Sequence, residues 1–479
     1  MTRSSFRHVA IKRKLASTIS HLLMGITWRK AILTLVLIIT ILQVIHITLT
    51  SRLEAIRRER RKSRGLSVKT SDDSSFSSGL HSLSDYSRQE MDKDYHNMLQ
   101  SVLESSVLDS SGEFSIINNW IRGKSFKNTG VPSLIIHDIT LVSLTSLSGV
   151  HHINDIVERW KGPISIGIFC LAKEIVTAIK LIILFRNCYP SIRYNTTFHL
   201  VYPLHHFPIP NFGSNDNNLW HSMSLSPHSQ SLSSCLEISQ ILSSIKTKTR
   251  RNYANHGVPF PNNLLRNVAR RNSLTDYIFV VDIDLVPNQD LHGSFLTFAH
   301  ENKLFEEQML QEKRVYVVPS FEIDSSQSSS KIPQHKAELL KLIANGSVRP
   351  FYYELCWKCQ KYTDYDAWER EPITSRLLVS FEVNWNDPWE PFYISHNSAP
   401  MYDERFRQYG FNRISQVCEL YVAGYKFSVL NNAFLVHKGL KKSDSFHKNK
   451  DLELERNRML FRHFKAELKD RYASSTRQC

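Results

Sequence analysis

Short apolar runs alternate with stretches of helical period through the middle of the chain. Ile135–Leu144, Pro163–Phe169 and Phe198–Tyr202 are compact runs rich in β-branched and aromatic residues, and they read as strands. Ile153, Ile156, Val157 and Trp160 recur at three- and four-residue steps, Ala172–Phe185 keeps the same period, and Asn263–Arg271 carries it into the next strand. Strand and helix in strict alternation predict an α/β domain with a mainly parallel sheet and right-handed crossovers. Further on, Val315–Pro319, Phe427–Leu430 and Ala433–Gly439 read as strands. Asp403–Arg413 is expected to open a helix that continues through Ser415, Val417 and Glu419, and residues 444–472 read as a charged helix.

The run Tyr277-Ile278-Phe279-Val280-Val281 leads straight into Asp282-Ile283-Asp284. A continuous apolar strand is buried on both faces, and residues two apart on a strand share a face. Asp282 and Asp284 are thus expected side by side where the sheet ends, which is where open α/β sheets bind ligands. Two carboxylates at close range repel unless a cation lies between them, and a hard divalent ion suits carboxylate and phosphate oxygens. The plainer alternative is that one aspartate caps the next helix. Thr145 and Ser146, after the first strand, belong to the same edge and are candidates for the substrate. Neither a G-x-G-x-x-G nor a Walker A motif is present, which disfavours dinucleotide and P-loop chemistry.

The N-terminal pattern differs. Residues 1–30 carry seven basic residues and no acid, residues 31–50 are uncharged and mostly apolar, and a second basic cluster follows at Arg52–Arg64. Twenty residues at about 1.5 Å each span the roughly 30 Å hydrocarbon core. The pattern predicts a cytoplasmic tail over 1–30 and a transmembrane signal-anchor over 31–50. Basic flanks of equal size leave orientation undecided by charge alone. Nine of the 21 residues from Ser67 to Ser87 are serine, so residues 51–130 read as a flexible stem with a short helix near Asp92–Leu108. The globular domain is then expected over 131–479. Residues 1–64 hold +12 of the total net charge of +15. The basic balance is therefore a membrane-flank property, and it gives no support to a nucleic-acid partner. A Ser/Asn/His-rich insert at 211–234 and a shorter one at 324–330 read as loops.

Five longer motifs carry a resemblance: VVDIDLVP (280–287), RPFYYELCWKCQ (349–360), DPWEPFY (387–393), YDERFRQYGFNRISQVCEL (402–420) and FLVHKG (434–439). From about Ile135 to Cys479 the chain resembles glycosyltransferase family 49. That family includes a β-1,4-glucuronyltransferase acting on the O-mannosyl glycan of α-dystroglycan, and the second catalytic domain of LARGE-type enzymes. The resemblance implies a GT-A fold, a UDP-glucuronate donor, a xylose-terminated glycan acceptor, Mn2+, and a type II protein of the Golgi membrane with a lumenal catalytic domain. A complex with other glycosyltransferases is compatible with it. Asp282, Asp284 and His437 would hold the metal, with Asp284 the better direct ligand. Glu390, Asp387, Asp403 and Glu419 are candidates for the general base that inversion requires, Glu390 foremost because Trp389 and Phe392 would stack on sugar and desolvate it. Arg413 is the candidate for the glucuronate carboxylate, with Lys438 on phosphate or behind Arg413. A related transferase using another UDP-sugar, N-acetylglucosaminyl or LARGE-like, and an inactive membrane-tethered scaffold stay open as alternatives; the intact acid pair speaks against the scaffold.

Seven cysteines, at 170, 188, 235, 356, 359, 418 and 479, suit disulfides in a lumenal domain with at least one thiol left over. Cys356-x-x-Cys359 has no second pair to complete a zinc site. Asn195 and Asn345 head glycosylation sequons and are expected on surface loops.

Overall fold

A computed structural model describes residues 86–126, 136–204, 257–306, 312–324, 331–442 and 449–479, with a few single positions between them. The expected tail (1–30), the anchor (31–50), the stem as far as residue 85 and the insert at 211–234 lie outside the described residues. No described helix is long and apolar enough to cross a membrane.

The strands are β1 (Val107–Leu108), β2 (Phe114–Ile121), β3 (Ile136–Ser146), β4 (Ile164–Phe169), β5 (Thr196–Pro203), β6 (Thr275–Val280), β7 (Leu285–Pro287), β8 (Arg314–Val318), β9 (Ser320–Ile323), β10 (Val348–Pro350), β11 (Val379–Val383), β12 (Phe392–His396), β13 (Lys426–Leu430) and β14 (Leu435–Lys438). The helices are α1 (Arg88–Glu104), α2 (Ile153–Arg159), α3 (Ile175–Cys188), α4 (Pro190–Asn195), α5 (Asn262–Arg271), α6 (Leu291–Glu301), α7 (Lys336–Ala344), α8 (Tyr353–Cys356), α9 (Tyr365–Arg370), α10 (Ile414–Val422) and α11 (Lys450–Arg471).

Ten strands form one sheet in the order β1-β2-β5-β4-β3-β6-β12-β8-β13-β11. Its centre, β5-β4-β3-β6, is parallel, as the alternation of strand and helix requires. The sheet as a whole is mixed rather than mainly parallel. β12 inserts antiparallel between β6 and β8, and β2 adds antiparallel to β5. Every residue of β4, β5 and β6 is buried, which is why these runs are apolar without alternation. Helix α5 lies against β3 and β4. Gly167 permits that approach, since a Cβ there would stand 2.9 Å from the Leu265 carbonyl oxygen.

The folded part begins well before the expected boundary at 131. Helix α1 is capped by the Ser87 side chain, buries Met98 and Val102, and takes a hydrogen bond from Trp120 Nε1 to the Met98 carbonyl at 2.8 Å. β2 buries Ile117 and Trp120 and extends the large sheet. Residues 86–126 are therefore part of the domain, not stem. Burial of an aromatic and several aliphatic side chains offsets the ordering entropy that a serine-rich stretch cannot.

A second sheet runs β10-β9-β14-β7. The chain enters it from the large sheet three times, from β6 to β7, from β8 through Pro319 to β9, and from β13 to β14. One apolar core fills the first half of the domain, and another, built on Phe321, Trp368, Trp389, Phe427 and Phe434, fills the second. Disulfides join Cys188 to Cys235, Cys356 to Cys359 and Cys418 to Cys479, and Cys170 is a buried free thiol.

Candidate active site

Asp282 and Asp284 do not project from one strand. β6 ends at Val280, and the two acids lie in the turn that carries the chain into β7, with Leu285 N–H bonded to the Asp282 carbonyl at 3.0 Å. The turn sends them to different partners. Asp282 Oδ1 accepts from Arg266 Nη2 at 2.8 Å. Arg266 is buried on α5 and also donates to Asn263 and Asn412, so Asp282 is held by a fixed cation. Asp284 Oδ2 accepts from Lys441 Nζ at 2.8 Å and lies 3.1 Å from His437 Nε2. Burial works against the charge on Asp284, but Lys441 and His437 outweigh it and hold the carboxyl well below the usual range.

The orientation of His437 matters. Its Nδ1 stands 2.6 Å from the Gly439 carbonyl, which can only accept, so Nδ1 carries a proton. In the neutral ring Nε2 then offers a lone pair toward a carboxylate oxygen. Two acceptors facing at that range call for a cation between them or a proton on the ring. Gly439, at φ +93, turns the chain so that its carbonyl reaches back to the ring. A backbone carbonyl that orients the far nitrogen of a histidine is the usual support of a metal-ligating imidazole.

Both acids line a cavity of about 930 Å³. Thr145 and Ser146, at the carboxyl end of β3, line it too, as do Asp387, Glu390 and Arg413. Glu390 is fixed at both ends. Its N–H donates to the Cys359 carbonyl at 2.9 Å, and its Oε1 lies 3.1 Å from Arg413 Nη2. Burial pushes the Glu390 carboxyl up, and Arg413 pulls against that without cancelling it. Arg413 is 7% exposed, and its guanidinium lies 4.0 Å from the centre of the Phe392 ring. Burial disfavours its charge, but the carboxylates of Glu390 and Asp282 keep it protonated. Its Nη1 is buried with no hydrogen-bond partner, and an unpaired buried donor is costly unless a ligand completes it.

Several expected residues lie elsewhere. Asp403 is gripped by Arg405 through both oxygens and does not line this cavity. Glu419 accepts from Arg471 and from the Tyr472 hydroxyl and does not line this cavity. Lys438 ends β14 paired with Asp155 at 2.8 Å, and the lysine at Asp284 is Lys441, three residues on. Trp389 is fully buried with its Nε1 on Thr363 Oγ1, and Phe392 is 2% exposed, so neither offers a face to a sugar. Asn345 sits in an exposed turn after α7, as its sequon suggests. Asn195 instead ends α4, half-buried, with its Oδ1 near Ser125 Oγ.

The residues that sequence reading missed are Arg266, Lys441, Tyr352 and the basic face of α11, where Lys450, Arg458, Arg462 and Lys465 line the cavity. Spacing gives no sign of Arg266, Lys441 or Tyr352, because each reaches the site from a separate element, and the period of α11 alone does not say which of its faces meets the cavity. Among the described residues no group of three or more His, Cys, Asp or Glu forms a complete metal cage. The donor set that is present, an aspartate and an oriented imidazole beside a second acid, still suits a hard divalent ion that takes its remaining ligands from phosphate oxygens and water.

A family profile described as "Glycosyl-transferase for dystroglycan" matches residues 138–473. The chain is 36% identical to the Danio rerio protein named Beta-1,4-glucuronyltransferase 1 over 454 residues, 94% of this chain and 98% of that one. The Homo sapiens protein of the same name is 38% identical over 377 residues, 78% of this chain and 83% of the relative. Gallus gallus Xylosyl- and glucuronyltransferase LARGE2s is 34% identical over 193 residues, 39% of this chain and 24% of its own length. Of solved structures, S. aureus TarS 1-349 in complex with UDP gives a TM-score of 0.30 at 10% identity, covering 63% of this chain and 60% of its own, a distant likeness. A profile match over residues 138–473, with a relative 36% identical along 94% of the chain, places this protein in that glycosyltransferase family.

Proposed function

We propose that the chain transfers glucuronic acid from UDP-glucuronate to a terminal xylose, forming a β-1,4 bond, in the manner of a metal-dependent inverting GT-A enzyme. The observation that carries the reading is the unpartnered, buried Nη1 of Arg413 in the cavity that also holds Asp282, Asp284 and Glu390. A glucuronate carboxylate is the group that would complete it, and the names of the relatives support that donor.

An α-linked donor and a β product imply one displacement with inversion. The acceptor hydroxyl oxygen forms the new bond to the anomeric carbon, the bond from that carbon to the β-phosphate oxygen breaks, and UDP leaves with the electron pair. Glu390 takes the hydroxyl proton. Its raised pKa makes it a stronger base than an exposed glutamate, and Arg413 keeps it aimed. Asp284 and His437 would hold Mn2+, while Asp282, with one oxygen on Arg266, would serve the ribose or a water of the ion. The ion, when bound, neutralises charge on the departing diphosphate. Thr145 and Ser146 are assigned to the nucleotide. Lys441 and the basic side chains of α11 add positive potential where the diphosphate leaves.

For the whole chain we place the apolar run 31–50 in the Golgi membrane as a type II anchor, with the folded domain lumenal. Three disulfides and an exposed Asn345 sequon suit that compartment. The test is incubation of the detergent-solubilised chain with Mn2+, a β-xyloside and a panel of UDP-sugars. Turnover with UDP-glucuronate is expected. Turnover only with another donor, or none from a folded sample, would overturn the reading.

A further inference from the structure

Withdrawal of Trp389 and Phe392 into the core leaves the sugar without the aromatic partner the sequence suggested. The cavity wall supplies another. Phe351 is buried, and Tyr352 stacks on it with ring centroids 4.2 Å apart and planes 17° from parallel. Phe351 in turn stands 5.7 Å from the His437 ring. The rings of His437, Phe351 and Tyr352 thus neighbour one another in that order, and Tyr352, partly buried, lines the cavity beside Glu390 and Arg413.

Two further observations mark this tyrosine. Its backbone sits at φ 59, ψ 25, the left-handed region that a side chain resists and a glycine would occupy freely. Retaining an aromatic ring there needs a return that packing on Phe351 alone does not explain. The segment is also held on both sides. The Tyr352 carbonyl accepts from Cys356 N–H at 2.9 Å, Cys356 is bonded to Cys359, and the Cys359 carbonyl accepts from Glu390 N–H. Tyr352 thus heads a short stapled loop, and the carboxylate assigned as base is tied to the other end of that loop through its backbone N–H. The phenol is kept protonated, chiefly by burial, so it stays a hydrogen-bond donor.

We infer that Tyr352 is the platform on which the acceptor sugar stacks, an inference that rests on the functional reading above. Displacement in line puts the acceptor on the far side of the transferred sugar from the diphosphate. The acceptor ring is therefore next to the base, in the part of the cavity where Glu390 and Tyr352 both contribute to the wall. A pyranose with equatorial hydroxyls and no C6 group, such as xylose, presents a flat C–H face suited to such a ring.

The test uses the full chain in detergent with Mn2+, UDP-glucuronate and an aryl β-xyloside. Tyr352→Gly removes the ring and suits the left-handed backbone, so folding is spared. It is expected to raise the acceptor KM on the order of 10-fold while the donor KM stays near wild type, and Tyr352→Phe should restore most of the loss. A rise in donor KM alone, or no change in acceptor KM, overturns the inference. If the wild-type chain turns over no xyloside, the functional reading falls first and this one with it. If wild type turns over and Tyr352→Gly behaves the same, only the platform falls.

Discussion

Arg413 meets Glu390 through Nη2 at 3.1 Å, yet leaves Nη1 buried and unpaired on the same guanidinium. One cation is therefore shared between a protein carboxylate and an open position. Hydrogen bonds to charged groups contribute about 1.5–3 kcal/mol, roughly 10- to 150-fold in affinity. Arg413→Ala is expected to weaken UDP-glucuronate by about that factor while leaving UDP close to wild type. Calorimetric titration with both ligands checks it, and equal losses would remove Arg413 from carboxylate recognition.

Glu390→Gln should lower kcat by about 10²- to 10⁴-fold with little change in UDP-glucuronate affinity. The pH profile gives a second check. The base works deprotonated, and the Glu390 carboxyl is raised above 4.5 by burial, with Arg413 restraining the rise. Activity is therefore lost as pH falls through a value above the ordinary glutamate range. Removing Arg413 should shift that acid limb to still higher pH. A limb that moves down in Arg413→Ala would contradict the pairing.

Chelation should abolish turnover, and added Mn2+ should restore it. Asp284→Asn is expected to stay inactive at every Mn2+ concentration while its circular dichroism matches wild type. Recovery at high Mn2+ would show that Asp284 tunes the ion's affinity without being required for turnover.

Cys418 and Cys479 close a loop of 61 residues, and cross-links of that span typically stabilise by about 2–4 kcal/mol. Cys479→Ser should lower Tm by several degrees. The thiol of Cys170 is buried and its pKa raised by burial. Unreduced protein is expected to resist alkylation when native and to take up one label when denatured.

The apolar runs that became β3 to β6 were legible because strands buried on both faces need no polar partner. β2 was not. Asn118 and Asn119 interrupt its apolar residues, and Asn119 sits at φ 51 in an irregular stretch of pairing with β5. The acid pair is legible but its geometry is not, since the chain turns after Val280 where the pattern predicts a strand continuing to Asp284. The motif at 434–439 offers Lys438, whereas the lysine at Asp284 is Lys441. The turn at Gly439 reverses which lysine faces Asp284, and no linear spacing reports that. Asp403 and Glu419 share a motif with Arg413 but are claimed by arginines far off in sequence or on the outer surface.

The three crossings between the sheets place Asp282 and Asp284 at a joint, with Asp282 moored to α5 over the large sheet and Asp284 to a histidine of the small one. A ligand bridging both acids would fasten the two layers to each other. Donor-loaded enzyme should then melt later than free enzyme by more than the sugar's own contacts suggest, since occupancy would also stiffen the seam on which the architecture turns.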